Sequence, residues 1–191
     1  MIPDLTQSGV LPPFIPELGP TDRAAQAPYR ATITEFVKRY SHSKERRAIL
    51  NGLLAYRNKL RTLGITEGFQ WLDGSFVENT EVIRSRPPSD IDLVTFASRP
   101  PACVDQNQWN NLVSANSDVF LPDLSKKTYI CDAYFVDLNV DPIHIVNSTK
   151  YWFGLFSHQR DSYLWKGMIE IPLICSDDEA KELLEQEMHN A

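Results

Sequence analysis

Residues 90–96 read Asp-Ile-Asp-Leu-Val-Thr-Phe, and this short stretch restricts the fold more than any other. Its apolar and β-branched residues favour a strand, and side chains two apart on a strand share a face. Asp90, Asp92 and Val94 are predicted on one side, with Ile91, Leu93 and Thr95 on the other. Adjacent carboxylates repel each other and lose hydration if buried bare. A Mg²⁺ ion between them would remove the repulsion, because hard oxygen donors suit it.

A second strand pattern precedes it. Phe69-Gln70-Trp71-Leu72 stops at Asp73-Gly74-Ser75, and a short helix is expected from Phe76 before the loop at Pro87-Pro88. A glycine at a strand end lets backbone N–H groups approach a phosphate closely. A following helix N-terminus and the Ser75 hydroxyl would supply further donors. Fourteen residues separate this cradle from the carboxylate pair, and the two features together point to a metal-bound phosphate ester.

The remainder of the chain reads as one α/β body, residues 29–191, behind a lead-in of residues 1–28. That lead-in carries six prolines, which excludes a helix there, while Val10, Leu11, Phe14 and Ile15 suggest that it packs on the body. Thr32 with Glu35 forms a capping-box signature for a first helix. A second is expected over 43–63, ended by Gly64, with Lys44, Arg46, Arg47, Arg57, Lys59 and Arg61 on a solvated face. A helix over 105–119, a long strand over 127–140, a short helix over 147–156 and an extended segment over 164–173 follow. Ser176 with Glu179 caps a C-terminal helix. Trp71, Trp109, Trp152 and Trp165 are read as core. The 191 residues, 42% of them hydrophobic, suffice for one ordinary core. The net charge of −6 argues against extended duplex nucleic acid. No basic and apolar leader and no membrane-length apolar run is visible, so a cytoplasmic protein is expected. Cys103, Cys131 and Cys175 have no zinc-ligand spacing and read as free thiols.

Leu72-Asp73-Gly74-Ser75-Phe76-Val77 and Ser89-Asp90-Ile91-Asp92-Leu93-Val94 resemble the nucleotidyltransferase superfamily, the fold of polymerase-β-like enzymes and of minimal antitoxin-type nucleotidyltransferases. The chain looks still more like a group of bacterial nucleotidyltransferase-like proteins, on Trp71 to Val77, the Arg46-Arg47 helix, and Tyr151-Trp152 followed by Lys166-Gly167. The core motif covers residues 69–96 and the looser likeness 28–175. The Arg-Gly-Glu that often follows the serine is replaced by Val77-Glu78-Asn79. The resemblance implies a small mixed sheet flanked by helices, with an open catalytic face.

It also implies a third carboxylate on a neighbouring strand. Asp132 and Asp137 are the candidates in 127–140, and being five apart they face opposite sides of a regular strand. Asp132 is favoured, with Asp137 kept as a structural cap. Asp90, Asp92 and Asp132 would then hold two Mg²⁺ or Mn²⁺ ions, and Gly74 and Ser75 would steady the phosphates of a nucleoside triphosphate. The implied reaction passes a nucleoside monophosphate to a hydroxyl of a protein or RNA acceptor and releases pyrophosphate. Glu78, Arg160 and Lys166 are lesser candidates near the phosphates. The alternative is a nucleotide- or partner-binding module without turnover, such as a subunit of a toxin–antitoxin or defence pair.

Overall fold

The computed structural model describes residues 2–160 and 162–189. Its centre is a five-stranded mixed sheet in the order β1-β5-β2-β3-β4, formed by β1 (Tyr29–Arg30), β2 (Gly68–Asp73), β3 (Ile91–Ala97), β4 (Cys131–Asp137) and β5 (Ile169–Pro172). β2 runs antiparallel to both β3 and β5, while β3–β4 and β1–β5 are parallel.

Strand parity sorts the side chains into two layers. Leu72, Ile91, Leu93, Ala133, Ile169 and Ile171 face the larger core. There they meet α1 (Ile33–Tyr40), α2 (Lys44–Thr62) and α8 (Asp178–His189), through residues such as Phe36, Leu53, Leu60 and Leu184. On the opposite face Trp71, Val94, Phe96 and Val136 pack under Trp152 and Phe156 of α7 (Pro142–Phe156). That single helix covers the aromatic part of the face. The row at the C-terminal end of β2 lies beyond it and carries carboxylates.

Local chemistry explains the element ends. Thr32 and Glu35 form the reciprocal capping box on α1, and the Ser43 hydroxyl caps α2. Asp141 caps α7 ahead of Pro142, so that helix begins five residues before the expected Asn147 and Asp141 does more than turn the chain. The predicted helix over 105–119 is divided into α4 (Gln106–Ala115) and α5 (Ser117–Phe120). The Ser176–Glu179 box does not form: the Ser176 hydroxyl accepts from Asp178 N–H, and Glu179 instead accepts from Thr34.

Residues 127–140 depart most from expectation. Pro122 opens α6 (Pro122–Tyr129), and strand begins only at Cys131. The strand-favouring Thr128 and Tyr129 stay helical because Tyr129 is held on both sides: its ring meets Tyr56 edge-on at 5.6 Å, and its hydroxyl donates to Asp118 at 2.7 Å. Ile130 then reverses the chain in the left-handed region, φ 58°. The extended segment over 164–173 is likewise strand only over Ile169–Pro172, and Trp165 is half exposed where a core position was expected.

Two arginines of α2 overturn the solvated-face expectation. Arg46 and Arg57 are each 1% exposed. Arg57 forms a bidentate pair with Asp177, 2.9 Å to each oxygen, and also donates to Gln70 and to the Pro172 carbonyl. A guanidinium is buried only when its donors are met, and each of these partners comes from a distant part of the chain. In the lead-in, Val10 and Leu11 are buried, and the Leu11 carbonyl accepts from Gly167 N–H at 2.8 Å. Among the described residues no helix is long and apolar enough to cross a membrane.

Candidate functional site

Cα register brings three aspartates into one row: Asp73 pairs with Asp92 across β2–β3, and Asp92 pairs with Asp132 across β3–β4. Directly paired residues project to the same face, so the row stands on the side covered further along by α7. Asp90 lies one residue before β3 and its charge acts on Asp92. Asp137 points to the other face and is held by Arg99, whose Nε donates to it at 2.7 Å. Its other oxygen accepts from Asn139 N–H. Parity thus puts Asp132 beside Asp92 and occupies Asp137 elsewhere.

The electrostatics follow from this crowding. Burial, reinforced by the charges of Asp90 and Asp132, pushes the Asp92 carboxyl up to about 6. Asp73 is pushed up to about 7, again chiefly by burial, which outweighs the nearby Lys166 ammonium. Its Oδ1 is buried without a hydrogen-bond partner; Lys166 Nζ lies 3.1 Å away as an ion contact only, off hydrogen-bond geometry. Lys126 Nζ pairs with Asp90 Oδ2. Among the described residues no three His, Cys, Asp or Glu side chains converge as ligands for one ion. The donor set is nonetheless all carboxylate oxygen, the chemistry that Mg²⁺ and Mn²⁺ select.

Gly74 is required beside this row. Its φ is +76°, and a Cβ there would fall 1.7 Å from Asp92 Oδ2. The strand end and the carboxylate are therefore in direct contact. The helix expected after Ser75 is a four-residue 3₁₀ turn, Gly74–Val77, followed by the equally short α3 (Thr80–Ile83), so a helix macrodipole contributes little.

Cations beneath the turn fix its orientation. Lys166, 3% exposed, donates to the Gly74 carbonyl at 3.3 Å and to Glu78 at 2.9 Å. Arg46 donates to the carbonyls of Phe76 and Glu78 at 2.6 and 2.8 Å, and its Nε pairs with Glu81 at 2.6 Å. Arg84 and Gln159 complete the shell around Glu78. Because a trans peptide carries its C=O and N–H on opposite sides, drawing the Gly74 carbonyl toward Lys166 turns the Ser75 N–H away from it. Gly74 and Ser75 are both part exposed.

The sequence reading brought Asp90, Asp92, Asp132, Gly74 and Ser75 forward, and the structure gathers them at one end of the sheet. It omitted Asp73 and Lys126. Asp73 was findable by parity, since it ends its strand on the same side as Trp71. Lys126 falls between the helix expected over 105–119 and the strand expected over 127–140, where periodicity assigns no element and gives no sign of its partner. Lys166 and Glu78 are buried partners of each other, and Arg160 is exposed.

The chain belongs to the family described as a family of unknown function, DUF6932, whose model matches residues 3–172. No curated protein and no solved structure matches it.

Proposed function

We propose that this member of the DUF6932 family is a metal-dependent nucleotidyltransferase with a nucleotidyltransferase fold. The observation that carries the reading is the aspartate row set against Gly74, whose missing side chain keeps the phosphate-facing turn in contact with Asp92. A nucleoside triphosphate is the substrate class that needs a phosphate cradle and adjacent metal-binding carboxylates at once. Two antiparallel strands, one ending in Gly74-Ser75 and the other opening on the aspartates, beside a parallel strand carrying Asp132, agree with this fold.

Asp90, Asp92 and Asp132 would hold two Mg²⁺ or Mn²⁺ ions, which when bound offset triphosphate charge and make an acceptor hydroxyl easier to ionise. The outward Ser75 N–H and the Ser75 hydroxyl bind phosphate oxygens. Lys166 and Arg46 act below, holding the carbonyl side of the turn inward. Asp132, at the row's outer end on β4, orients the acceptor. The acceptor hydroxyl gives its proton to water, its oxygen bonds to the α-phosphorus, the bond from that phosphorus to the α–β bridging oxygen breaks, and pyrophosphate leaves. Protein or RNA hydroxyls are the proposed acceptors, given the acidic balance of the chain.

A test is label transfer from each α-labelled nucleoside triphosphate in a cell lysate with Mg²⁺ or Mn²⁺, with pyrophosphate release measured in parallel. The Asp90→Ala, Asp92→Ala double variant should lose transfer by at least about 10³-fold, the scale of removing a major electrostatic element of a site. Transfer at the wild-type level by that variant would refute the mechanism. A binding module without turnover is the second reading, favoured by the apolar residues Ile143, Val146 and Phe153 exposed on α7. It requires partner affinity that survives the same double substitution.

A further inference from the structure

Lys126 is the feature that the proposed reaction leaves unused. It sits in the last turn of α6, the helix that leads through the left-handed Ile130 into β4 and Asp132. Its ammonium pairs with Asp90 Oδ2, and its charge acts on Asp92 and Asp132 as well. The Lys126 side chain is 52% exposed, whereas that of Asp90 is 10% exposed. A half-hydrated cation thus rests against a carboxylate, Asp90, that is largely withdrawn from water.

The rest of the neighbourhood shows what this cation does. Lys166, the other lysine near the row, is buried and committed to Asp73, Glu78 and the Gly74 carbonyl. Its charge also reaches Asp92, but among the described residues the cation paired with Asp90 is Lys126. A divalent ion binding those carboxylates must take the position that Lys126 now serves, and two cations cannot share it without repulsion. The exposed stem leaves the ammonium free to swing a few ångströms outward. The nearest new anion would be the triphosphate that the metal brings, because the phosphate-facing turn adjoins Asp92.

We propose that Lys126 is a built-in counter-ion of the aspartate row, displaced by divalent metal and transferred to the phosphates of the incoming nucleotide. This rests on the nucleotidyltransferase reading and assigns Lys126 two opposed effects. It competes with metal in the absence of nucleotide and supports nucleotide once metal is bound.

The test compares wild-type protein with Lys126→Met, which keeps the stem and removes the charge, and with Lys126→Arg, which keeps the charge. Mn²⁺ affinity is read from the electron paramagnetic resonance signal of free Mn²⁺, without nucleotide. Affinity for a non-hydrolysable nucleoside triphosphate is then read by calorimetry at saturating Mn²⁺. Lys126→Met should bind Mn²⁺ two- to five-fold more tightly, the scale of a half-exposed ion pair, and bind the nucleotide more weakly by a similar factor. Lys126→Arg should stay near wild type in both. Wild-type Mn²⁺ binding that Lys126→Met leaves unchanged, or a shift of both affinities in one direction, overturns the role of Lys126 alone. Wild-type protein that binds neither Mn²⁺ nor nucleotide overturns the nucleotidyltransferase reading together with it.

Discussion

Asp73 shows how burial and charge compete at one residue. Burial raises its carboxyl against the Lys166 ammonium and the Gly74 N–H, with Asp92 adding to the rise, so that it is pushed from 3.8 to about 7, while Asp92 goes from 3.8 to about 6. Both shifts are upward, so between roughly pH 4 and 7 the folded chain binds more protons than the unfolded one. Stability from this source is therefore present at the acidic end, declines as pH rises through the window, and levels off above about 7. The slope is at most about 1.4 kcal/mol per pH unit for each group. Urea midpoints from pH 4.5 to 8 should show Asp73→Asn gaining on the wild type as pH increases. Parallel curves would mean that Asp73 is ionised throughout. Metal bound at the neighbouring aspartates would oppose this decline, since it stabilises the ionised forms.

At the scale of elements, the position of Asp132 is set by the contact of α2 with α6. Gly52, in the interior of α2, faces the end of α6, where a Cβ would fall 1.9 Å from the Tyr129 carbonyl oxygen. Glycine inside a helix costs about 1 kcal/mol relative to alanine, so propensity alone says that Gly52→Ala should stabilise. The clash with backbone forces the opposite: α6 must move, and with it Lys126, Ile130 and the start of β4. We predict a net loss of about 1–3 kcal/mol, read as a lower urea midpoint, together with weaker Mn²⁺ binding. A raised midpoint would show that α6 can yield without cost. The same contact explains why strand propensity failed over residues 127–130, since Tyr56 and Asp118 hold Tyr129 in a helix that its side chain does not favour.

For the whole molecule, the lead-in ties distant parts of the candidate site together. The Gly9 carbonyl accepts from Asn79 N–H, just past the 3₁₀ turn, and the Leu11 carbonyl accepts from Gly167 N–H, next to Lys166. Leu11 is fully buried between these anchors. Leu11→Ala should cost about 2–5 kcal/mol, and each kcal/mol should lower Tm by about 2–4 °C in a chain of this size. Amide exchange at Asn79 and Gly167 should quicken while that within α2 stays slow, because the strap loosens locally before the main core opens. Uniform acceleration would show that residues 9–12 support the entire fold and have no particular hold on the turn.

The amino-acid sequence alone determined the shared face of Asp92 and Val94, the opposite facing of Asp132 and Asp137, the glycine at the strand end, the capping box of α1 and the Gly64 end of α2. These are legible because they depend on periodicity and on contacts within a few residues. Tertiary structure alone decided which carboxylates become neighbours, since strand order and register join residues far apart, and Asp73 meets Asp92 only through them. It likewise decided that Arg46 and Arg57 are buried ties, because their partners Glu81 and Asp177 come from remote segments. It decided, too, that residues 127–129 continue the helix of Lys126 and do not begin a strand, because packing there outweighs β-propensity. A charge in a helical stripe reads as solvated until a distant partner makes its burial favourable.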